Sequence, residues 1–157
     1  MKTLAQSSLF LGLVLALSCS LSTLAVAADV TGNWRSIDDK TGFAKSIINI
    51  EKKENGTYSG TIIKVLTHEG YTPKKICVSC PAPFTEKPIE GLNIIWDLVQ
   101  TPSEKGVYDH GQILDPLSGK IYRAKLTLAA DGKTLNVRGY VGISMFGRSQ
   151  VWQRESK

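Results

Sequence analysis

Arg138, Tyr140, Arg148 and Gln150 are the residues of this 157-residue chain whose types and spacing best suit recognition chemistry, with Tyr122 and Trp96 upstream and Trp152 just beyond. Arginine guanidinium groups match carboxylate or phosphate heads, and a ligand site needs a mostly apolar pocket with a few convergent polar groups. The same arginines also suit cation–π stacking on Tyr140, Trp152 or Tyr122 at a protein surface. The choice turns on strand faces. If Leu135, Val137 and Val141 face an apolar interior, Arg138 and Tyr140 face out of it; with the opposite assignment they are fixed polar groups inside a cavity.

Catalytic chemistry finds no comparable set. His68 and His110 are the only histidines, so a hydrolytic triad would have to use one of them with a serine. No G-x-S-x-G turn exists, since Gly142-Ile143-Ser144-Met145-Phe146 lacks the final glycine. Around Ser118-Gly119-Lys120 the phosphate-loop pattern fails, with Leu114 at the first glycine and Ile121 at the Ser/Thr position. Both stretches read as turns. Zinc binding by Cys77, Cys80, His68 and His110 would use suitable ligand types without any zinc spacing. The chain is expected to be no enzyme, with no catalytic residues, no metal and no cofactor.

The N-terminus sets the compartment. Met1-Lys2, the apolar run Leu9 to Leu17 and the small-x-small site Ala25-Val26-Ala27 make a secretory signal peptide cleaved near Ala27. The run is too short to span a membrane, which takes roughly 20 apolar residues, and Ala16-Leu17-Ser18 is a poor lipobox for acylation at Cys19. A periplasmic or secreted protein is expected. Cys77 and Cys80 then remain, in Lys75-Ile76-Cys77-Val78-Ser79-Cys80-Pro81, and in an oxidising compartment a structural disulfide is the default. A redox pair would want its first cysteine at a helix N-terminus, and no helical pattern follows here. So short a loop contributes on the order of 2 kcal/mol.

Removing residues 1–27 leaves 157 − 27 = 130 residues, one domain with enough chain to bury its own core. Without Lys2 the balance is 18 basic against 14 acidic residues, a net charge near +4. The lysines are scattered, with no dense basic run, so a nucleic-acid partner is not expected.

The elements that must carry the recognition residues read as strands. Phe43 to Lys52 places Ala44, Ser46, Ile48 and Ile50 on one face, Asn55-Gly56 turns the chain, and Tyr58 to Leu66 returns. Thr67 to Glu90, with four prolines, is one long loop. Gly91 to Val99 resumes with Leu92, Ile94, Trp96 and Leu98 expected on one face. Tyr108 to Leu114, Lys120 to Leu128, Leu135 to Val141 and Arg148 to Arg154 follow, separated by Asp115-Pro116, Asp131-Gly132 and a glycine-containing tip. With the short strand at Asp29 to Arg35 this makes about eight strands and no helix. A single antiparallel up-and-down barrel is expected, since closure removes sheet edges.

Gly32-Asn33-Trp34 near the start and Trp152-Gln153-Arg154 at the end resemble the lipocalin and calycin pattern. The resemblance implies that Trp34 plugs one end of a barrel while Arg154 packs across it, with Trp152 part of that closure. The chain from residue 28 is also similar to a family of small exported bacterial proteins, domain of unknown function 2147. Gly32-x-Trp34, Cys77-x-x-Cys80 leading to Gly91-Leu92, Gly119-Lys120-x-Tyr122, Val137-Arg138-Gly139-Tyr140 and Phe146-Gly147-Arg148-Ser149-Gln150-x-Trp152 carry that likeness. It implies a lipocalin-like barrel and an exported location and leaves activity open.

The expected function is a monomeric binding barrel that holds a small apolar or amphipathic molecule such as a lipid or fatty acid. Arg138, Tyr140 or Arg148 would meet its polar head. The alternative is a module without a cavity, in which the Thr67 to Glu90 loop and the Ile143-Ser144-Met145-Phe146 tip dock an envelope protein. Interior volume separates the two.

Overall fold

The structure is a computed structural model that describes residues 29–145 and 147–156. The expected signal peptide and Cys19 lie outside the described residues, as does Phe146 of the expected tip. Eight strands follow in order: β1 (Gly32–Ile37), β2 (Ala44–Lys52), β3 (Tyr58–Val65), β4 (Asn93–Gln100), β5 (Val107–Asp115), β6 (Lys120–Leu128), β7 (Thr134–Tyr140) and β8 (Gly147–Arg154). Each pairs antiparallel with the next, and β1 pairs with β8 through Trp34↔Arg154 and Ser36↔Trp152, so the sheet closes into an up-and-down barrel.

Alternation explains the closure. Ile48 and Ile50 of β2, Ala124, Leu126 and Leu128 of β6, and Leu135 and Val137 of β7 are buried, while Arg123, Thr127 and Asn136 between them are exposed. The apolar face is the inner one, opposite to a barrel that presents its apolar face to lipid. Among the described residues no helix is long and apolar enough to cross a membrane.

One strand departs from the expected alternation. Asp97 takes a left-handed conformation (φ 59°), matched across the ladder by His110 (φ 64°). The extra residue brings Ile95 and Leu98, three apart, to full burial in the interior. Trp96 therefore does not share the face of Leu98. It points to the outer side and stacks on Phe84 at 5.5 Å between ring centroids.

The barrel's two ends differ. At one end Trp34 is fully buried, its Nε1 donates to the Val30 carbonyl (2.8 Å), and Arg154 lies over its ring. At the other end stand the β1–β2, β5–β6 and β7–β8 turns and the connection 66–92. That connection is irregular as expected but pinned: Ile76 bridges to Pro88, and the expected Cys77–Cys80 disulfide is present with both cysteines buried. Gly119 in the β5–β6 turn (φ 73°) packs so closely on it that a Cβ there would overlap the Ser79 carbonyl. His68, from the same connection, stacks between Phe43 and Tyr71.

Candidate functional site

The interior is not packed solid. A cavity of about 280 Å³ occupies the end of the barrel away from Trp34 and Arg154. Its apolar lining comes from Ile48, Ile62, Ile113, Val137 and Trp152, with Tyr122 alongside. Every one of these sits on an inward-phased position of its strand, so the same alternation that closes the barrel lines the hollow. The alternative expected above was to have no cavity, and the hollow end removes that feature.

Polar and charged groups share the cavity lining with the apolar ones. Ser36 of β1 and Ser46 of β2 face each other in register, with their hydroxyl oxygens 2.8 Å apart. Gln150 lines the same wall, its Oε1 accepting from Trp152 Nε1 (3.3 Å). Lys45, Asp115 and Arg148 reach the mouth.

The charges at the mouth are clasped. Arg148 Nε donates to Asp39 Oδ2 (3.1 Å) and Nη2 reaches the other oxygen, tying β8 to the β1–β2 turn. That hydrogen bond, then the guanidinium's charge, holds the Asp39 carboxyl below its ordinary value, and Asp39 raises Arg148 in return. Lys45 Nζ donates to Asp38 (3.1 Å) and, with the Thr41 backbone N–H, pulls the Asp38 carboxyl well below the usual carboxylate range.

Of the residues singled out in the sequence, Arg148, Gln150, Tyr122, Tyr140 and Trp152 line this cavity. Tyr140 lies on the stretch of β7 that rims it, but its side chain shares the outer face with Arg138. A Cβ added to Gly147, directly opposite, would meet both of them. The Tyr140 hydroxyl donates to Asp109 (3.2 Å), and burial, then Asp109, raises its pKa. Arg138 is outside the lining. Its guanidinium donates to the carbonyls of Ser144 (2.5 Å) and Met145 (2.9 Å) and to Ser149 Oγ (2.8 Å), stapling the β7–β8 turn. Trp96 is also outside, for the reason given by Asp97.

The expected stacking of these arginines on Tyr140, Trp152 or Tyr122 is not found among the described residues. The arginine over an aromatic ring is Arg154, on Trp34. His68 and His110 do not line the cavity, and no group of three or more His, Cys, Asp or Glu positioned to hold a metal occurs among the described residues. The serine pair was missed in the sequence although Ser46 shares the face of Ile48 and Ile50, which was its signal. The Arg148–Asp39 pair spans 109 positions and leaves no local trace.

Comparison with known proteins agrees with this architecture. A family model described as "Uncharacterized protein conserved in bacteria (DUF2147)" matches residues 32–154. A solved structure, described as "Protein HP1028 from the human pathogen Helicobacter pylori belongs to the lipocalin family", superposes with a TM-score of 0.68 at 19% identity. The match covers 82% of this chain and 84% of that one. No curated protein matches.

Proposed function

We propose that this chain, which belongs to the bacterial family DUF2147, is a non-catalytic binding barrel for a small apolar or amphipathic molecule. The observation that carries the reading is the cavity: it opens at the barrel end opposite Trp34, and aliphatic side chains such as Ile48, Ile62 and Val137 line it beside the polar groups of Ser36, Ser46 and Gln150 and the charged groups of Lys45, Asp115 and Arg148. Eight-stranded barrels enclose just enough room for one such ligand, and the likeness to a protein described as a lipocalin supports the same use.

Size narrows the ligand class. About 280 Å³ lies just below the usual size of ligand pockets, roughly 300–1,000 Å³. It corresponds to roughly nine water volumes of about 30 Å³ each. A medium-length acyl chain or a compact ring system fits the hollow, with its polar end toward the serines or Arg148. The function belongs outside the cytoplasm, a placement that rests on the signal sequence read at residues 1–27.

Native mass spectrometry of protein released gently from its own cells tests the reading, together with displacement of fluorescent 1-aminoanthracene by straight-chain carboxylates of graded length. A co-purifying small molecule and a displacement optimum at medium chain length are expected. Only apo mass, with no 1-aminoanthracene binding, would overturn it.

A further inference from the structure

We infer that the open end of the barrel docks on an anionic lipid surface. The exposed large apolar side chains on turns all stand at that end. Val141, Ile143 and Met145 of the β7–β8 turn are 70%, 60% and 76% exposed, and Phe43, Val78 and Leu117 stand out from the three other connections there. The turns at the Trp34 end, 53–57, 101–106 and 129–133, carry Lys53, Glu54, Glu104, Lys105, Asp131 and Lys133 and no large apolar residue. The barrel is thus amphipathic along its axis, and its apolar pole rings the cavity mouth.

The chemistry of the ring selects the partner. Exposed Lys40, Lys75 and Lys120 stand between the apolar tips, and no described carboxylate lies within ion-pair distance of them. Counting each of the four connections with two flanking strand residues on either side (36–45, 64–94, 114–121, 139–148), eight basic residues face six acidic ones, 8 − 6 = +2. The same windows on the turns of the Trp34 end (51–59, 99–108, 127–135) hold four basic and four acidic residues, 4 − 4 = 0. The core of a protein–protein interface is contiguous and poor in lysine. Separate apolar tips with lysines between them instead match the boundary between headgroups and acyl chains, where apolar side chains insert and cations meet anionic lipid. A barrel seated this way would exchange a ligand with the bilayer without passing it through water.

The test is co-sedimentation with phosphatidylglycerol-containing vesicles and with phosphatidylcholine vesicles, using protein from cells expressing the full chain, in the form those cells leave it. Binding to the anionic vesicles, weakened by salt and lower on the neutral ones, is expected. The Ile143→Ser/Met145→Ser pair, on an exposed turn where folding is not at stake, lowers the partition coefficient at least tenfold. Val151→Ser, 49% exposed on the barrel wall, leaves it unchanged. No binding to anionic vesicles, or equal binding by both variants, overturns the inference and leaves this face to a protein partner. The inference goes beyond the ligand reading. A Gly139→Leu variant with its cavity filled still sediments with vesicles, so loss of 1-aminoanthracene binding and loss of vesicle binding are separate failures.

Discussion

The guanidinium carbon of Arg154 lies 4.3 Å from the centre of the Trp34 ring, and its nitrogens donate to three carbonyls, of Asp29 (2.7 Å), Thr31 (2.7 Å) and Gly132 (2.6 Å). One side chain therefore joins the chain's first described segment, the β6–β7 turn and β8 across the end of the barrel. Arg154→Ala is expected to lower the unfolding free energy by about 3 kcal/mol, from charge-assisted hydrogen bonds that leave carbonyls unsatisfied and from the lost ring contact. Arg154→Lys restores only a fraction, because a point ammonium cannot reach three carbonyls from one plane. Urea unfolding followed by tryptophan fluorescence checks both; a lysine variant as stable as wild type would contradict the account.

Two interior glycines make opposite predictions. A Cβ at Gly139 would sit 3.4–3.6 Å from Tyr122 and Ile113, in ordinary contact, with the cavity beyond. Gly139→Leu is expected to fold with unchanged or raised melting temperature, since a strand gains from a side chain it can pack. It should weaken 1-aminoanthracene binding at least tenfold. At Gly111 a Cβ would fall 2.6 Å from Leu98 and 2.8 Å from the Trp96 carbonyl. There the backbone must move, and Gly111→Ala is expected to cost about 1–3 kcal/mol. Thermal melts of the two variants side by side decide the matter.

Much of this was legible in the sequence. Turns at Asn55-Gly56 and Asp131-Gly132 and the alternation of Lys120 to Leu128 set strand number and inner faces, and Trp34 with Arg154 marked the closed end. What escaped has physical causes. The left-handed Asp97 shifts the phase of β4, so alternation put Trp96 on the wrong side. Arg138 spends its donors largely on turn carbonyls, which every residue type supplies equally. Asp39 and Arg148 meet only because the barrel closes.

The Cys77–Cys80 bridge shapes the connection beside the mouth. Its loop is too short to restrain the unfolded chain strongly, so reduction is expected to lower stability by about 2 kcal/mol and to leave the barrel closed. Both cysteines are buried with Ile89 and Leu92. Cys77→Ser/Cys80→Ser should therefore cost more than reduction, because it also buries hydroxyls among apolar groups. Denaturation curves of oxidised, reduced and double-serine protein should fall in that order of stability.

Asp39 occupies the guanidinium that a ligand's anionic head would want. Removing its charge with Asp39→Asn is expected to raise affinity for octanesulfonate about threefold while leaving 1-octanol unchanged, the scale of one exposed ion pair. Added salt should erase the gain. The same substitution reads out in acid. Asp39 and Asp38 are depressed in the folded protein, so their contribution is complete above the carboxylate's unfolded value, about pH 4, and is lost as pH falls through the lower folded values. Wild-type melting temperature should therefore fall below about pH 4, and Asp39→Asn should fall less steeply over the same range. Equal acid slopes for the two proteins, or an unchanged sulfonate affinity, would show that the Arg148–Asp39 clasp does not govern the mouth.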